Sequence, residues 1–489
     1  MILFRKIVFY IFLLLYLVTC PLLLLYAFGF IVKPGSEYRL IKTGLIYLST
    51  VPAGAQVHLG PSRFTQKTPV MIRDLIPGNY SVRVDLPGHL PWIQTVPVAA
   101  EKASVLDYVL LLPSKWKREL LTRDSYAGLR AIPGTEMILL QRTDKLGGLV
   151  VYDFGEDKLK RLFARDSEYA AADLQRAYTF PEGNIVILQV QMPAGPRTLA
   201  IDLGKPDKAP KDLTLFFNAA PEKLAWDSSA RNYLYNYHDS VLDRINLDDG
   251  EVKPGILKNL RGMGFSDDSI YAVRNDGLVI RTDENGKDLK FLLDDPVLAQ
   301  SLFGDAGFFD IEAYHDQTVL FRGEKGELLS NRLPYRQVPG GVSGFEYDKK
   351  RKRLLVWQKN KIGILDFSRE RVAGGEMFEK GPRLTWIFKD GDNIAQAFWV
   401  YEGSHVLFRD GSQVRLLDTE TYETPVVHTV TGVKDKTDVY YSEDSGSLYY
   451  LDKDSAQLVS LEIFPKKAVI NLPFPERREE VVLKEKNSE

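Results

Sequence analysis

Cysteine is almost missing from this chain, with one residue, Cys20, in 489. Cys20 has no intrachain partner, so disulfides contribute nothing to the fold, and zinc or iron–sulfur sites built on several cysteines are excluded. The six histidines, His58, His89, His238, His315, His405 and His428, stand singly, without the His-x-His or His-Glu-x-x-His spacing that holds zinc. An excess of either charge is also lacking. With 63 Lys+Arg against 65 Asp+Glu, no global basic field exists, and nucleic acid is not an expected partner. No Gly-x-Ser-x-Gly elbow, Walker loop or Rossmann glycine series is present, so nucleophilic hydrolases and nucleotide enzymes lose their usual geometry. No cofactor is expected, and no catalytic, cofactor-binding or metal-ligating residue is assigned.

What the chain does have begins with one long apolar run. From Ile7 to Val32, 26 residues pass without a charge, more than the roughly 20 that a helix needs to cross hydrocarbon. Arg5 and Lys6 precede it and favour a cytoplasmic N-terminus, whereas Lys33, Arg39 and Lys42 beyond it weaken that charge argument. A cleaved signal peptide competes with this reading, and Ala27 and Gly29 have the small-residue spacing of a cleavage site. Signal h-regions usually span about 7 to 15 residues, however, so a retained signal anchor is expected. Leu17-Val18-Thr19-Cys20 only faintly resembles a lipoprotein signal, because apolar sequence continues past Cys20. Pro21 would kink a membrane helix without abolishing it.

Beyond the run the pattern turns to alternation. Leu45 to Val51 and Tyr80 to Leu86 read as strands, the second with Tyr80, Val82, Val84 and Leu86 on a buried face and Ser81, Arg83 and Asp85 on a wet one. Pro-Gly turns separate the strands at Pro52-Ala53-Gly54-Ala55, Leu59-Gly60-Pro61, Ile76-Pro77-Gly78-Asn79 and Leu86-Pro87-Gly88-His89. The order Val51 to Val57, Thr68-Pro69, Asp74 to Val82 and Pro87-Gly88-His89 resembles the PEGA domain family over about residues 44–113, with Ala53 and His89 as departures. The resemblance implies a small β-sandwich of surface or envelope proteins, without a known catalytic apparatus and associated with binding. Trp92 is expected as a core plug, and His58 and His89 receive no chemical role.

Residues 115–470 carry a recurring pair of short apolar strands, eight times over. The pairs are Met137–Leu140 with Gly148–Asp153, Ile185–Val190 with Thr198–Asp202, Asn232–Tyr237 with Leu242–Asp248, and Ser269–Val273 with Gly277–Arg281. Val319–Arg322 with Leu328–Leu329, Arg353–Trp357 with Lys361–Asp366, Val406–Arg409 with Gln413–Asp418, and Ser447–Leu451 with Gln457–Leu461 complete them. About 350 residues over eight is roughly 44 each, the length of a propeller blade. A β-propeller is expected, eight blades favoured and seven possible; jelly rolls or consecutive sandwiches are the alternatives. The Gly-His and Trp-Asp repeat signature is absent. Loops such as Asp283–Asp288 are expected to be exposed hairpins.

The chain thus reads as mainly β: residues 1–6 cytoplasmic, 7–32 a transmembrane anchor, 33–43 a linker, 44–113 a PEGA-like β-sandwich, 114–470 a propeller and 471–489 a charged tail. The acidic runs Asp248-Asp249-Gly250-Glu251, Asp267-Asp268 and Asp452-Lys453-Asp454 read as turns, since none completes a calcium loop. The basic run from Lys349 to Arg353, flanked by Tyr347 and Trp357, reads as a solvated hairpin tip. The expected function is that of a membrane-anchored, extracytoplasmic binding or scaffold protein of the cell envelope, its two modules engaging proteins or glycans. The alternative is a carbohydrate-active enzyme, its paired carboxylates assembled from different blades.

Overall fold

The computed structural model describes residues 2–463 apart from short internal stretches, the longest being 368–382; residues 464–489, with the charged tail, lie outside the described residues. A helix covers Ile2–Ala27 and exposes its apolar side chains; its segment Phe4–Pro21 is long and apolar enough to cross a membrane. The expected helix over 7–32 is corrected at both ends. It starts at Ile2, and Phe30–Lys33 is instead a strand antiparallel to Arg39–Lys42. Gly29 disfavours helix, and the aromatic and β-branched Phe30-Ile31-Val32 that follows favours extended backbone.

Two sheets follow, one ordered Val70–Leu75, Gly44–Val51, Ala103–Leu110, the other Ser62–Lys67, Gln56–Leu59, Gly78–Asp85, Trp92–Val98. The alternation seen in the sequence sends Ile46, Leu48, Val82, Val84 and Trp92 into a single core between them. Thr68 ties the Pro52–Ala55 turn to this core. Its hydroxyl accepts the Ala55 N–H at 2.9 Å and meets the Thr50 hydroxyl at 2.5 Å, while its carbonyl accepts the Gly54 N–H at 2.9 Å. Thr68→Ala is expected to destabilise the sandwich by about 1–2 kcal/mol, because the buried Ala55 N–H loses its partner; the urea midpoint of the variant checks this.

From residue 117 onward the described strands fall into eight antiparallel four-stranded units. Blades 1 to 7 occupy 128–161, 173–212, 223–258, 260–293, 309–338, 342–388 and 394–432 in simple up-and-down order. Blade 8 is completed from both ends of the ring: Tyr440–Ser442, Ser447–Leu451 and Gln457–Glu462 take Lys117–Ser125 as their outermost strand. Eight apolar cores alternate with the eight blades. The last of them packs Leu129, Ile138, Leu140 and Tyr152 of blade 1 against Leu451 and Leu458 of blade 8. That core and the shared fourth strand close the circle, leaving no open sheet end between first and last blade.

The first strand of each blade lines the axis. In blades 4 and 5 these strands touch directly, Leu260–Ser266 running parallel to Phe309–Ala313 with Gly262 opposite Phe309. Glycine is required there, since a Cβ on Gly264 would lie 1.9 Å from the Ile311 carbonyl oxygen. Gly264→Ala is therefore expected to cost about 2 kcal/mol by forcing the blades apart, read as a lowered melting temperature.

Sandwich and propeller are joined without a linker. Along Ala103–Leu110 and just beyond it, Val109 and Leu111 point into the sandwich core, while Leu110 and Leu112 point into the core between blades 7 and 8. The Leu90 N–H donates to the Leu112 carbonyl at 2.8 Å, and the Ser114 hydroxyl to the Gly88 carbonyl at 3.0 Å, so the Pro87-Gly88-His89 turn clamps the junction.

Candidate functional site

Because first strands share one direction, the turns entering them lie on one rim of the channel together with the turns between second and third strands. The remaining turns form the other rim. Lys117 starts the closing strand on that second rim, so the sandwich sits there.

The channel wall is charged where blades 3 and 5 meet across the recessed, glycine-bearing strand of blade 4. Lys223 of blade 3 pairs with Asp310 of blade 5, and Arg322 reaches the other Asp310 oxygen at 2.9 Å. Phe308 lies under the Lys223 ammonium at 4.8 Å and against the Tyr237 ring at 4.8 Å. Two residues along, the Tyr314 hydroxyl donates to Glu312 at 2.5 Å, and the Tyr314 ring packs on Tyr347 of blade 6 at 4.5 Å. Glu312 is exposed to the channel, and crowding by the surrounding wall raises its carboxyl, opposed by the Tyr314 hydroxyl, Arg322 and Lys223. In blade 6 burial pushes Glu346 up to about 7, against the Trp399 N–H that donates to it at 2.9 Å. Raised carboxyls on adjacent first strands are the feature a glycoside-cleaving site would need. No sequence motif marks them. The one signal was the alternation Phe309-Asp310-Ile311-Glu312, apolar toward the core and acidic toward the axis.

A second feature is a groove of about 650 Å³ at the ring seam, on the rim that carries the sandwich. Tyr152 and Phe154 of blade 1 face Tyr449, Ser445, Ser447 and Ser460 of blade 8, with Glu119 of the closing strand on the wall. Phe154 packs on Tyr449 at 3.8 Å and stacks on Tyr440 at 5.5 Å; Tyr152 bonds Asp157, and Lys117 pairs with Glu462 at 3.2 Å.

The residues singled out from sequence are scattered. Trp92 is buried in the sandwich core, as expected of a plug. His58 stands 3.6 Å from Asp85, His89 bonds the Pro87 carbonyl, and His238 bonds Asp243 at 2.8 Å. His405 is buried with its ring against the Ser404 hydroxyl at 2.9 Å, and His315 lies outside the described residues. Among the described residues no three His, Cys, Asp or Glu side chains group as metal ligands. Asp248–Glu251 forms a turn held by the Asn246 and Asp249 side chains, and Asp452 caps the Ser455 N–H while pairing with Arg118 at 2.6 Å; Asp267-Asp268 lies outside the described residues.

Two loops expected to be solvated are so only in part. The Asp283–Asp288 hairpin is exposed at Lys287 and Asp288, but its first half is docked: the Glu284 carbonyl accepts the Tyr235 hydroxyl at 2.9 Å, Asn285 accepts Arg244 at 2.7 Å, and Gly286 abuts Ile256. In the basic run, Lys349 to Lys352 are exposed, but Arg353 turns inward, donating to the Gly403 carbonyl at 2.7 Å and covering the Trp399 ring at 4.8 Å. Long side chains bury their stems on a neighbouring blade, which a count of charges does not reveal.

Residues 43–111 match the PEGA domain model. Among solved structures, the β-propeller domain of Cps50 (Swd1) from Myceliophteria thermophila is similar at 9% identity, covering 72% of this chain and all of that one, with a TM-score of 0.41. The propeller assignment itself rests on the strand order and the eight cores. No curated protein matches the chain. The chain therefore carries a PEGA domain, joined directly to a β-propeller.

Proposed function

We propose that this is a single-pass membrane protein of the cell envelope, its bulk outside the cytoplasm, whose propeller binds an envelope protein or glycan at the seam groove. Both modules are of scaffold type, and neither indicates catalysis. The observation that carries the reading is the groove's lining: aromatic edges, three serine hydroxyls and carboxylates within one cleft suit a polyhydroxylated ligand, which needs apolar contact and many paired donors and acceptors. The apolar helix Ile2–Ala27 would place that rim toward the membrane. Pull-downs of envelope fractions and glycan-array binding, using the full chain in detergent, should give a ligand that Ser447→Trp abolishes by filling the groove. Ligand capture unaffected by Ser447→Trp, or reporters placing the C-terminus in the cytosol, would overturn it.

A second reading, a carbohydrate-active enzyme, is favoured by one observation: Glu346, held near 7, can keep a proton at neutral pH as a general acid must. Turnover of an envelope polysaccharide that Glu346→Gln removes, with Glu312→Gln alongside, would select this reading; absence of turnover in the unaltered chain would discard it.

A further inference from the structure

We propose that the opposite rim of the channel, between blades 1, 2 and 8, holds an oxyanion site in which Arg130 and Arg176 take a carboxylate or phosphate group of a polar ligand. The two arginines stand on the first strands of adjacent blades, Gly128–Ala131 and Asp173–Thr179, and line one cavity of about 380 Å³ with Lys436 and Asp438. Both are exposed to the channel.

Their hydrogen bonds leave donors to spare. Arg130 gives one guanidinium N–H to the Ala177 carbonyl of blade 2, a contact that fixes it across the blade boundary. Arg176 leans on Tyr178, donating to its hydroxyl at 3.1 Å and to the Glu222 carbonyl at 3.5 Å. Among the described residues, neither forms an ion pair with a carboxylate. The contrast lies further round the same ring, where Lys223 and Arg322 share the Asp310 carboxylate. There the cations have a carboxylate partner, whereas Arg130 and Arg176 are held by main-chain carbonyls and a tyrosine hydroxyl. A guanidinium offers five donors in a planar fork that fits a carboxylate or phosphate two at a time, and both forks line the same cavity.

Asp438 completes the arrangement. Two carboxyls line the cavity, Asp144 and Asp438, and burial raises that of Asp438 although Arg130 and Arg409 act to lower it. In its charged form it competes with an incoming anion for Arg130. Lys436, with φ of 57°, sits on the same approach and adds a further positive charge. The rim faces away from the PEGA domain, so a ligand would enter from the side opposite the seam groove. No residue is shared with that groove, so loss of binding at one leaves the other intact.

The test is calorimetric titration of the full chain in non-ionic detergent with glucuronate, inorganic phosphate and, as neutral control, glucose. At least one of the two anions should bind saturably and glucose should not. Glucuronate alone would assign the site to an acidic glycan, and phosphate alone to a phosphorylated ligand. Arg176→Gln and Arg130→Gln should each weaken binding roughly tenfold or more, the loss of a charge-assisted pair. Asp438→Asn should tighten it, and Ser447→Trp should leave it unchanged. Arg176 is exposed, and its contacts are the Tyr178 ring and hydroxyl and the Glu222 carbonyl, so its variant keeps the test valid should Arg130→Gln unfold. Failure of both anions to bind, or equal affinity in Arg176→Gln, would overturn the proposal.

Discussion

Replacing Leu110 and Leu112 together by alanine is expected to lower the stability of the propeller by roughly 4 kcal/mol or more, although neither residue belongs to a blade. Both side chains are buried in the core between blades 7 and 8, beside Val400, Val430, Val439 and Ile463. A buried Leu→Ala change costs about 2–5 kcal/mol from lost transfer energy and the cavity left behind. The two sites share neighbours, so their effects will couple rather than add. Val109→Ala with Leu111→Ala supplies the contrast, because those side chains enter the sandwich core instead. Urea unfolding, followed by tryptophan emission for both pairs, distinguishes the cases. If the junction is continuous packing, the Leu110 and Leu112 pair shifts the propeller transition, and the PEGA transition moves with it. A propeller midpoint identical to that of the unaltered chain would show the junction to be a flexible tether. Rigidity here matters for the arrangement of the two rims, since a fixed joint holds one rim toward the PEGA domain and the other away from it.

The parts of this fold that could be read from sequence are those buried on both faces. Each of the eight recurring strand pairs is the second and third strand of a blade, and these carry runs such as Ile138-Leu139-Leu140 and Leu354-Leu355-Val356 because each contacts one core on either side. First and fourth strands escape the same reading. The fourth strand of blade 2 is only Lys211–Asp212, and the first strand of blade 4 carries Gly262 and Gly264, where close approach replaces side-chain packing. Lys117–Ser125 looks like a polar connector, and its pairing with Gln457–Glu462 spans more than three hundred residues, beyond any local signal. The PEGA resemblance was legible for a different reason: its turns need Pro and Gly at fixed places, and Thr68 must face Ala55. The channel charges were barely legible, with only the alternation Phe309-Asp310-Ile311-Glu312 to mark them. Lys223, Asp310 and Glu346 come from blades 3, 5 and 6, and only ring closure makes them neighbours of one axis.

Those charges predict an unusual pH dependence. Glu346→Gln is expected to stabilise the protein by about 3 kcal/mol above pH 7 and to be nearly neutral near pH 4. The Glu346 carboxyl rises from 4.5 to about 7 on folding, chiefly through burial, with Glu443 and Asp348 adding repulsion. Between those values the folded chain binds more protons than the unfolded chain, so the contribution of Glu346 is fully present below pH 4.5 and is lost as pH climbs through 7. Glutamine keeps the acceptor for the Trp399 N–H and carries no charge to bury. His405 has the opposite sign. Burial, with His428 beside it, lowers its imidazole from 6.5 to about 4, so its contribution is present above pH 6.5 and disappears as pH falls through 4. Unfolding free energies at pH 4, 6 and 8 for the unaltered chain, Glu346→Gln and His405→Gln would separate the two. The first variant should gain stability with rising pH relative to the unaltered chain. The second should remove the acid loss between pH 6 and 4, though it costs some stability at pH 8 because the Ser404 contact changes. Curves for Glu346→Gln and the unaltered chain that run parallel across this range would mean that the carboxyl is solvated in the channel, and the general-acid reading would lose its support.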